Sequence, residues 1–260
     1  MQKTPLVIFD QVSLSYKTDE KIFSDLNINF KSGSFYFLTG SSGAGKTSLL
    51  KLIYMDVMPT HGNVSVLGQD SLSISQRNIP YLRQKIGMVF QDCYMLNHLS
   101  LIENVALPLR IRGLNPSQAL YNANEMLNWV GLGKYIHHNP DVLSGGQKQR
   151  AAIARAVINK PALLLADEPT GNVDQENANR ILHLFEELHK RGTTVVLATH
   201  DRALAAAYPY PELLIKDYKV QVNEKVMKRY NGSMSSNIAG QQEVSSLKNV
   251  IIGSRLGHTK

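Results

Sequence analysis

Apolar residues along this 260-residue chain fall into two patterns, short continuous runs and longer runs with helical spacing. Short apolar runs bounded by turn residues predict β-strands. Seven such runs lie at residues 6–9, 26–30, 35–39, 86–90, 162–166, 193–198 and 213–215. Because strands that alternate with helices form a parallel sheet covered by helices, the pattern predicts an α/β fold.

Helical spacing of apolar residues dominates the middle of the chain, between residues 100 and 160. Predicted helices lie at residues 47–55, 101–107, 116–130, 147–159 and 175–190. We therefore expect one α/β domain over residues 1–229, with a helical subdomain inserted at about residues 92–158. Residues 230–260 are rich in Ser, Gly, Asn and Gln, which predicts a weakly ordered tail.

A glycine-rich segment, Gly40-Ser-Ser-Gly-Ala-Gly-Lys46-Thr47, joins a predicted strand to a predicted helix. In this context glycines let backbone amides converge on phosphate oxygens, and the helix directs its positive end at the same anion. Lys46 is expected to reach the β- and γ-phosphates of ATP, and the Thr47 hydroxyl to bind Mg²⁺. A glycine-rich turn without a ligand is the alternative, and the strand–loop–helix context argues against it. The predicted ATP-binding residues are Gly40, Ser41, Ser42, Gly43, Ala44, Gly45, Lys46, Thr47 and Ser48.

The apolar run at residues 162–166 ends in two carboxylates, Asp167 and Glu168. Ligands of open parallel sheets bind beyond the carboxyl ends of the strands, so these acids are expected beside the glycine-rich loop. Asp167 is predicted to hold Mg²⁺, and Glu168 to polarise the attacking water as general base. An acidic turn before Pro169 is equally compatible with this segment alone, and the pairing with the glycine-rich loop favours the catalytic interpretation.

A third motif, Leu143-Ser144-Gly145-Gly146-Gln147, stands at the start of the predicted helix 147–159. Ser144, Gly145 and Gly146 are expected to precede that helix and to present exposed amides as a second anion cradle. With this motif the chain resembles the ABC ATPase family over roughly residues 5–217. The resemblance implies a P-loop NTPase fold, with a mostly parallel core sheet, an N-terminal antiparallel β part and an inserted helical subdomain.

Single residues that resemble further elements of the family follow in the family's order. Tyr16 resembles the aromatic that stacks on adenine, and Gln91 the glutamine that serves catalysis and the metal. Asp174 resembles the aspartate of the D-loop, and His200 the histidine that contacts the γ-phosphate. Alone, each has an ordinary alternative as a core or surface aromatic, a loop residue or a structural histidine. Their order and their positions next to predicted strands support the functional interpretation.

The resemblance also implies how ATP sites are completed. In this family the second cradle, here Ser144, Gly145, Gly146 and Gln147, binds the γ-phosphate held by the opposite subunit. One chain carries each half-site once, so a two-fold homodimer that forms on ATP binding would complete two equivalent sites. The cofactors implied are ATP and Mg²⁺.

Four longer stretches, at residues 37–53, 82–92, 103–109 and 157–174, resemble the FtsE type of cell-division ATP-binding proteins. That resemblance implies an integral membrane partner, an FtsX-like permease, and ATP-driven force transmission during cell division. The partner is expected to dock in a groove near Gln91 and the helical region from about Cys93 to Leu109. Cys93, Met95, Leu96 and Leu99 would line that groove unless they are ordinary core residues. Lipoprotein-release, MacB-type and solute transporters share the same chemistry and remain alternatives. Departures from the family pattern are Val173, Lys148 and a longer tail.

Composition restricts the cellular setting. The only cysteine, Cys93, cannot form an internal disulfide, which fits a reducing cytosol. The N-terminus has no secretory pattern, and the apolar runs are too short to span a bilayer. We therefore expect a cytoplasmic protein that is peripheral on the inner face of the cell membrane through its partner.

The formal charge is +7, from 28 basic and 21 acidic residues, and seven basic against two acidic residues follow residue 218. These charges are dispersed without interleaved aromatic residues, so we expect a solvated tail and no nucleic-acid partner. A ribosome-acting member would carry two cassettes, and a chromosome-organising one would separate its motifs by a coiled coil. Here Lys46 and Ser144 lie 98 positions apart. A non-catalytic scaffold is disfavoured because Glu168 and His200 are both present.

Overall fold

Two β-sheets organise the computed structural model of this protein, which describes residues 4–17, 20–171 and 173–223. The strands are β1 (Pro5–Ser15), β2 (Lys21–Lys31), β3 (Phe35–Thr39), β4 (His61–Val66), β5 (Gln69–Asp70), β6 (Ile86–Val89), β7 (Leu163–Asp167), β8 (Thr194–Thr199), β9 (Glu212–Lys216) and β10 (Lys219–Val222). The smaller sheet has the order β2-β1-β4-β5, and all its pairs are antiparallel. The N-terminal antiparallel part that the family resemblance implies is therefore confirmed.

The larger sheet has the order β10-β9-β3-β8-β7-β6. Its strands pair in parallel from β9 to β6, and β10 adds an antiparallel edge. Every residue of β3, β7 and β8 is buried. A strand buried on both faces needs a continuous apolar run, which is the pattern that predicted these three strands.

Helices cover both faces of the larger sheet. They are α1 (Lys46–Ile53), α2 (Ile79–Arg83), α3 (Leu101–Ile111), α4 (Pro116–Trp129), α5 (Gly145–Val157), α6 (Gln175–Lys190) and α7 (Arg202–Ala207), with 3-10 turns at Gly133–Tyr135 and Pro140–Val142. Leu163 and Leu165 of β7 share a core cluster with the apolar residues of α1. Leu164 and Ala166 share another with residues of α3, α5 and α6. Since successive side chains of a strand point to opposite faces, α1 lies on one side of the sheet and α5 on the other.

The predicted elements are all present, and their boundaries differ in instructive places. The prediction that α3 ends at residue 107 was wrong, because the helix continues through Pro108 and buries Leu109. The prediction that α5 starts at residue 147 was also wrong, because the helix begins at Gly145. The sequence pattern missed β4, β5, β10, α2 and α7, which are short or, like β4 with its Gly62 and Asn63, interrupted by turn-forming residues.

The helical elements α3, α4 and α5 follow one another between residues 101 and 157, where the helical subdomain is expected. The division into a domain over residues 1–229 and a tail stays a prediction, because the expected boundary and residues 230–260 fall outside the described residues. Across the described part of the chain, no helix combines the length and apolar character needed to cross a bilayer.

A close approach between β6 and α5 sets the position of the α5 helix. A Cβ atom built on Gly87 of β6 would lie 2.6 Å from the carbonyl oxygen of Ala156 and 3.0 Å from Cγ of Pro161. The hydrogen atom of glycine is therefore what allows the end of α5 to rest directly on the sheet.

We expect Gly87→Ala to lower the free energy of unfolding by about 1–3 kcal/mol, because the added methyl group forces α5 away from β6. Chemical denaturation of the wild-type and variant proteins measures this difference. Gly87→Val adds more volume at the same position and should be more destabilising. Equal unfolding midpoints for all three proteins would contradict the close contact between β6 and α5.

Candidate ATP-binding site

Four chain segments follow the carboxyl-terminal ends of parallel strands in the larger sheet. In its parallel register Thr39 is paired with Thr199, Asp167 with Ala198, and Val89 with Ala166. The segments that follow these strand ends carry the glycine-rich loop, Glu168, His200 and Gln91. Parallel pairing thus brings together residues that lie far apart in the sequence.

The glycine-rich loop makes a tight turn before α1. Gly43 and Gly45 adopt left-handed φ angles of 77° and 107°, which glycine adopts without steric cost. A Cβ atom on Gly45 would also lie 2.9 Å from side-chain atoms of Ile22 and Phe23. Gly45 precedes α1 and has no side chain to cap it, so the first amides of the helix are left to bind another acceptor, as an anion site requires.

The Lys46 side chain lies between this loop and the acidic end of β7. It is 7% exposed, and its Nζ donates to the carbonyl oxygens of Gly40 at 3.0 Å and Ser41 at 3.2 Å. The same Nζ lies 3.3 Å from Oε1 of Glu168. The structure therefore places the predicted phosphate-binding lysine next to the predicted general base.

Thr47 and Asp167 form an oxygen-rich pair beneath the loop. The Thr47 hydroxyl donates to Oδ2 of Asp167 at 2.7 Å. The other carboxylate oxygen, Oδ1, is buried and has no hydrogen-bond partner among the described residues. Burial raises the pKa of Asp167, and the bond from Thr47 opposes that rise.

A hydroxyl beside a carboxylate with an unused oxygen fits Mg²⁺, which takes hard oxygen ligands and typically uses one or two carboxylates. Among the described residues, no group of three or more His, Cys, Asp or Glu side chains is arranged to hold a metal. A magnesium ion at Thr47 and Asp167 would therefore take its remaining ligands from phosphate and water.

Glu168 connects three parts of the site. Its Oε2 lies 2.9 Å from Nδ1 of His200 and accepts the His200 backbone N–H at 3.2 Å, while its Oε1 faces Lys46. The carboxylate is 12% exposed, whereas the His200 side chain is 63% exposed. A carboxylate held at both oxygens has a defined orientation and still borders solvent, which is what activation of a water molecule requires.

Tyr16 and Gln91 lie at the borders of the same region. The Tyr16 hydroxyl donates to Oγ of Ser48 in α1 at 3.1 Å, and 46% of its surface is exposed. An exposed aromatic ring fixed beside the first turn of α1 suits a base-stacking role. Gln91 is exposed and lies two residues beyond the end of β6.

The Leu143–Gln147 motif forms the N-terminus of α5. Ser144 is the N-cap: its Oγ accepts the Gln147 N–H at 3.3 Å, and Gln147 Oε1 accepts the Ser144 N–H at 2.9 Å. This reciprocal capping starts the helix at Gly145, so Gly145 and Gly146 form its first turn instead of preceding it. Ser144 and Gly145 are exposed at the tip of α5.

Asn177 links this motif to the predicted D-loop. Asp174 caps α6 through the Asn177 N–H at 2.9 Å, and its second oxygen accepts from Nδ2 of Asn177 at 2.7 Å. These hydrogen bonds lower the pKa of Asp174. Arg150 of α5 donates to Oδ1 of Asn177 at 2.7 Å. Neither Asn177 nor Arg150 was predicted from the sequence. The signal for Asn177 was its position three residues after the helix cap Asp174, where an asparagine side chain can hydrogen-bond the capping carboxylate.

The segment after Gln91 is also tied to α5. Cys93 and Tyr94 adopt left-handed φ angles of 60° and 43°, and Arg155 donates to both of their carbonyl oxygens, at 2.5 and 2.7 Å. The Cys93 thiol donates to Oε1 of Gln149 at 2.7 Å, and burial raises its pKa to about 11.

Of the two alternatives for Cys93, a groove-lining residue or an ordinary core residue, the structure supports the second, because Cys93 belongs to the core. Met95 is partly buried against the same core cluster, and Leu96 and Leu99 are half-buried. The exposed apolar group of this segment is Tyr94, at 61% exposure, which sequence analysis overlooked.

Comparison with known proteins gives consistent matches. Residues 23–171 match the ABC transporter family. The cell division ATP-binding protein FtsE of Haemophilus influenzae is 43% identical over 212 residues, covering 81% of this chain and 97% of the relative. FtsE of Bacillus subtilis is 36% identical, covering 82% and 93%. The dimeric post-hydrolysis state of the ATP-binding cassette MJ0796, bound to ADP and Pi, has a TM-score of 0.77 and 33% identity, covering 84% of this chain and 97% of that chain.

We expect Gly146→Ala to destabilise the protein by about 1–3 kcal/mol. The added Cβ atom would lie 2.6 Å from Cγ of Asn177, whose side chain is held by Asp174 and Arg150 and cannot turn away freely. Thermal unfolding of the single and double variants tests this contact. In an Asn177→Ala background the same substitution should cost much less, and an equal cost in both backgrounds would refute the contact.

Proposed function

The chain belongs to the ABC transporter family of ATP-binding proteins, and we propose that it binds and hydrolyses ATP in an FtsE-type membrane complex that acts in cell division. The observation that carries the hydrolytic part of this proposal is the position of Glu168. Its carboxylate lies between Nζ of Lys46, at 3.3 Å, and Nδ1 of His200, at 2.9 Å. A base between a phosphate-binding lysine and a second γ-phosphate contact is suitably placed for phosphoryl transfer to water.

Binding of ATP begins at the glycine-rich loop. Backbone amides from Gly40 to Thr47 surround the phosphates, and Lys46 exchanges its contacts with the loop carbonyls for contacts with the β- and γ-phosphates. Tyr16 stacks on the adenine ring, and Ser48 fixes the tyrosine hydroxyl. The remaining loop residues Ser41, Ser42, Gly43, Ala44 and Gly45 shape the turn.

Hydrolysis depends on residues at the ends of β7, β8 and β6. Thr47, Asp167 and Gln91 would hold Mg²⁺, which neutralises developing phosphate charge when bound. Glu168 orients a water molecule and accepts its proton as the oxygen attacks the γ-phosphorus, while the bond from that phosphorus to the β–γ bridging oxygen breaks and ADP leaves. His200 holds the Glu168 carboxylate and contacts the γ-phosphate, so it positions the base and the reacting group relative to each other.

A complete site requires a second copy of the chain. Ser144 and Gly145 are exposed at the tip of α5, on the opposite face of the sheet from α1. We infer that Ser144, Gly145, Gly146 and Gln147 bind the γ-phosphate held by the partner, with Asp174 beside them. The dimeric state of the MJ0796 cassette supports this arrangement. Two such contacts across a two-fold axis would join the dimer only while ATP is intact.

The names of the relatives support a role in cell division. As an extension of that role, we propose an FtsX-like integral membrane protein as partner and a cytoplasmic, membrane-peripheral location for this chain. Tyr94 lies in the turn after Gln91 and is exposed, and Arg155 donates to its carbonyl oxygen. Its ring is the exposed apolar group of this segment to which the membrane partner would bind. A lipoprotein-release, MacB-type or solute transporter complex is the second candidate, since the ATP chemistry is common to all of them. Affinity purification of the membrane-bound partner distinguishes them: an FtsX-like protein supports division, and a solute permease contradicts it.

Glu168→Gln should lower ATP turnover by about 100- to 10,000-fold, because the amide cannot accept the proton of the attacking water. ATP should still bind, so the variant is expected to accumulate as an ATP-bound dimer. Phosphate release and analytical ultracentrifugation with Mg²⁺ and ATP measure the two effects. Glu125→Gln, on α4, is the matched control and should behave as wild type, whereas normal turnover by Glu168→Gln would disprove the base assignment.

Lys46→Ala should weaken ATP binding by at least about tenfold, because a charge-assisted contact to phosphate is lost. Isothermal titration calorimetry measures the affinity directly. Lys216→Ala removes an exposed lysine at the end of β9 and should leave binding unchanged. If Lys46→Ala bound ATP as tightly as wild type, the glycine-rich loop would not be the phosphate site.

A further inference from the structure

A buried carboxylate outside the recognised motifs lies beneath the phosphate-binding loop. Glu212, the first residue of β9, is 4% exposed. Its Oε1 accepts from the Thr39 hydroxyl at 2.7 Å and from Nε of Arg202 at 3.2 Å. Its Oε2 accepts from Nδ2 of Asn223 at 2.8 Å. The side chain therefore joins three segments that are remote in sequence.

Two of these segments carry parts of the ATP site. Thr39 is the last residue of β3 and directly precedes Gly40 of the glycine-rich loop. Arg202 is the first residue of α7 and lies two positions after His200. One carboxylate oxygen, Oε1, thus accepts hydrogen bonds from the residue before the loop of Lys46 and from a residue just after His200. Lys46 and His200 are the two proposed contacts to the γ-phosphate.

The hydrogen bonds around Glu212 stabilise the ionised form of its carboxylate. Burial acts to raise its pKa, but hydrogen bonds from Thr39, Asn223 and Arg202 outweigh burial and lower it. The Arg202 side chain is 60% exposed, whereas the carboxylate is 5% exposed. A charge-assisted bond to a buried acceptor is stronger than an exposed ion pair, so Arg202 is held firmly even though most of it faces solvent.

The turn that carries His200 has its own short-range contacts. The Asp201 N–H donates to Oγ1 of Thr199 at 3.1 Å, and Asp201 caps α7 through the Leu204 N–H at 2.9 Å. These bonds define the shape of the turn within itself. The bond from Arg202 to Glu212 connects the turn to β9, which pairs with β3 and therefore moves with the glycine-rich loop.

We propose that Glu212 is a positioning residue that sets the place of His200 relative to the phosphate-binding loop. The proposal rests on the function proposed above and adds a residue that none of the sequence motifs contains. Glu212 does not contact the nucleotide. It acts through its hydrogen bonds with Thr39 and Arg202. We therefore expect Glu212 to affect the contact between His200 and the γ-phosphate and to leave contacts with the other phosphates unchanged.

This role predicts a selective loss of affinity. Glu212→Gln should weaken binding of AMP-PNP, a non-hydrolysable ATP analogue, by about tenfold, since the charge-assisted hold on the His200 turn is lost. Binding of ADP should change by less than about twofold, because ADP has no γ-phosphate for His200 to contact. Titration calorimetry of the full chain with Mg²⁺ and each nucleotide gives the ratio of the two affinities.

The ratio separates positioning from stability. Partial unfolding lowers both affinities by the same factor, so an equal loss for AMP-PNP and ADP would reduce Glu212 to a structural residue and overturn the proposal. Unchanged affinity for both nucleotides would overturn it as well. Glu187→Gln is the matched control, because it removes a carboxylate from an ion pair with Lys190 on α6, at 2.9 Å, and should leave the ratio unchanged.

Variants of Arg202 test the same connection from the other side. Arg202→Gln should reproduce the selective loss for AMP-PNP, and Arg202→Lys, which keeps the charge, should recover part of it. A normal ratio for Arg202→Gln would overturn the proposed route through Arg202. The proposed function fails separately: if the wild-type chain bound neither nucleotide, the ATP site itself would be wrong, whereas normal wild-type binding with a normal Glu212→Gln ratio rejects only the role of Glu212.

Discussion

Parallel pairing of β3, β8, β7 and β6 is the constraint on which the candidate ATP site depends. The carboxyl-terminal ends of these strands lie together, in a register that places Thr39 beside Thr199 and Asp167 beside Ala198. β3, β7 and β8 are buried on both faces, so their register is held by packing as well as by hydrogen bonds. A shift of one residue would reverse the faces of the strand and separate Lys46 from Glu168.

In the proposed mechanism, the helices on the two faces of the sheet belong to the ATP sites of two different copies of the chain. The core on one face includes α1, which continues the phosphate-binding loop, and the core on the other includes α5, which begins with the Leu143–Gln147 motif. Within one chain, the glycine-rich loop and the N-terminus of α5 belong to helices on opposite faces of the sheet. The two anion cradles can therefore contact one phosphate more readily when they come from two facing copies. This geometry explains physically why the proposed active unit is a dimer.

Polar side chains outside the motifs hold the motifs in place. Asn177 joins Asp174 to Arg150, Arg155 holds the carbonyl oxygens of Cys93 and Tyr94, and Glu212 joins Thr39 to Arg202. Each bridges segments that are distant in sequence. Glu212 is buried, so its hydrogen bonds are worth more than surface contacts, whereas Asn177 and Arg155 are half-buried. In the proposed mechanism these connections keep the loops of the site in register with one another.

Local patterns in the sequence determined the identity and order of the main elements. The continuous apolar runs predicted β3, β7 and β8, and the glycine-rich loop between a strand and a helix predicted a phosphate cradle, because both depend on neighbouring residues alone. Helix boundaries were harder, since the start of α5 depends on how Ser144 and Gln147 cap each other, and the length of α3 on burial of Leu109 beyond Pro108.

Tertiary structure alone decided which side chains meet. Nothing in the sequence places Glu212 against Thr39, which lies 173 positions away, or Arg150 against Asn177, because such contacts depend on strand order and helix packing. The burial of Cys93 is of the same kind, since only packing against α5 distinguishes a core thiol from a groove-lining one. The sequence alone therefore determined the chemical groups of the candidate ATP site, while the fold decided their distances, their supports and the exposure of each half-site, because these arise from contacts between segments remote in the chain.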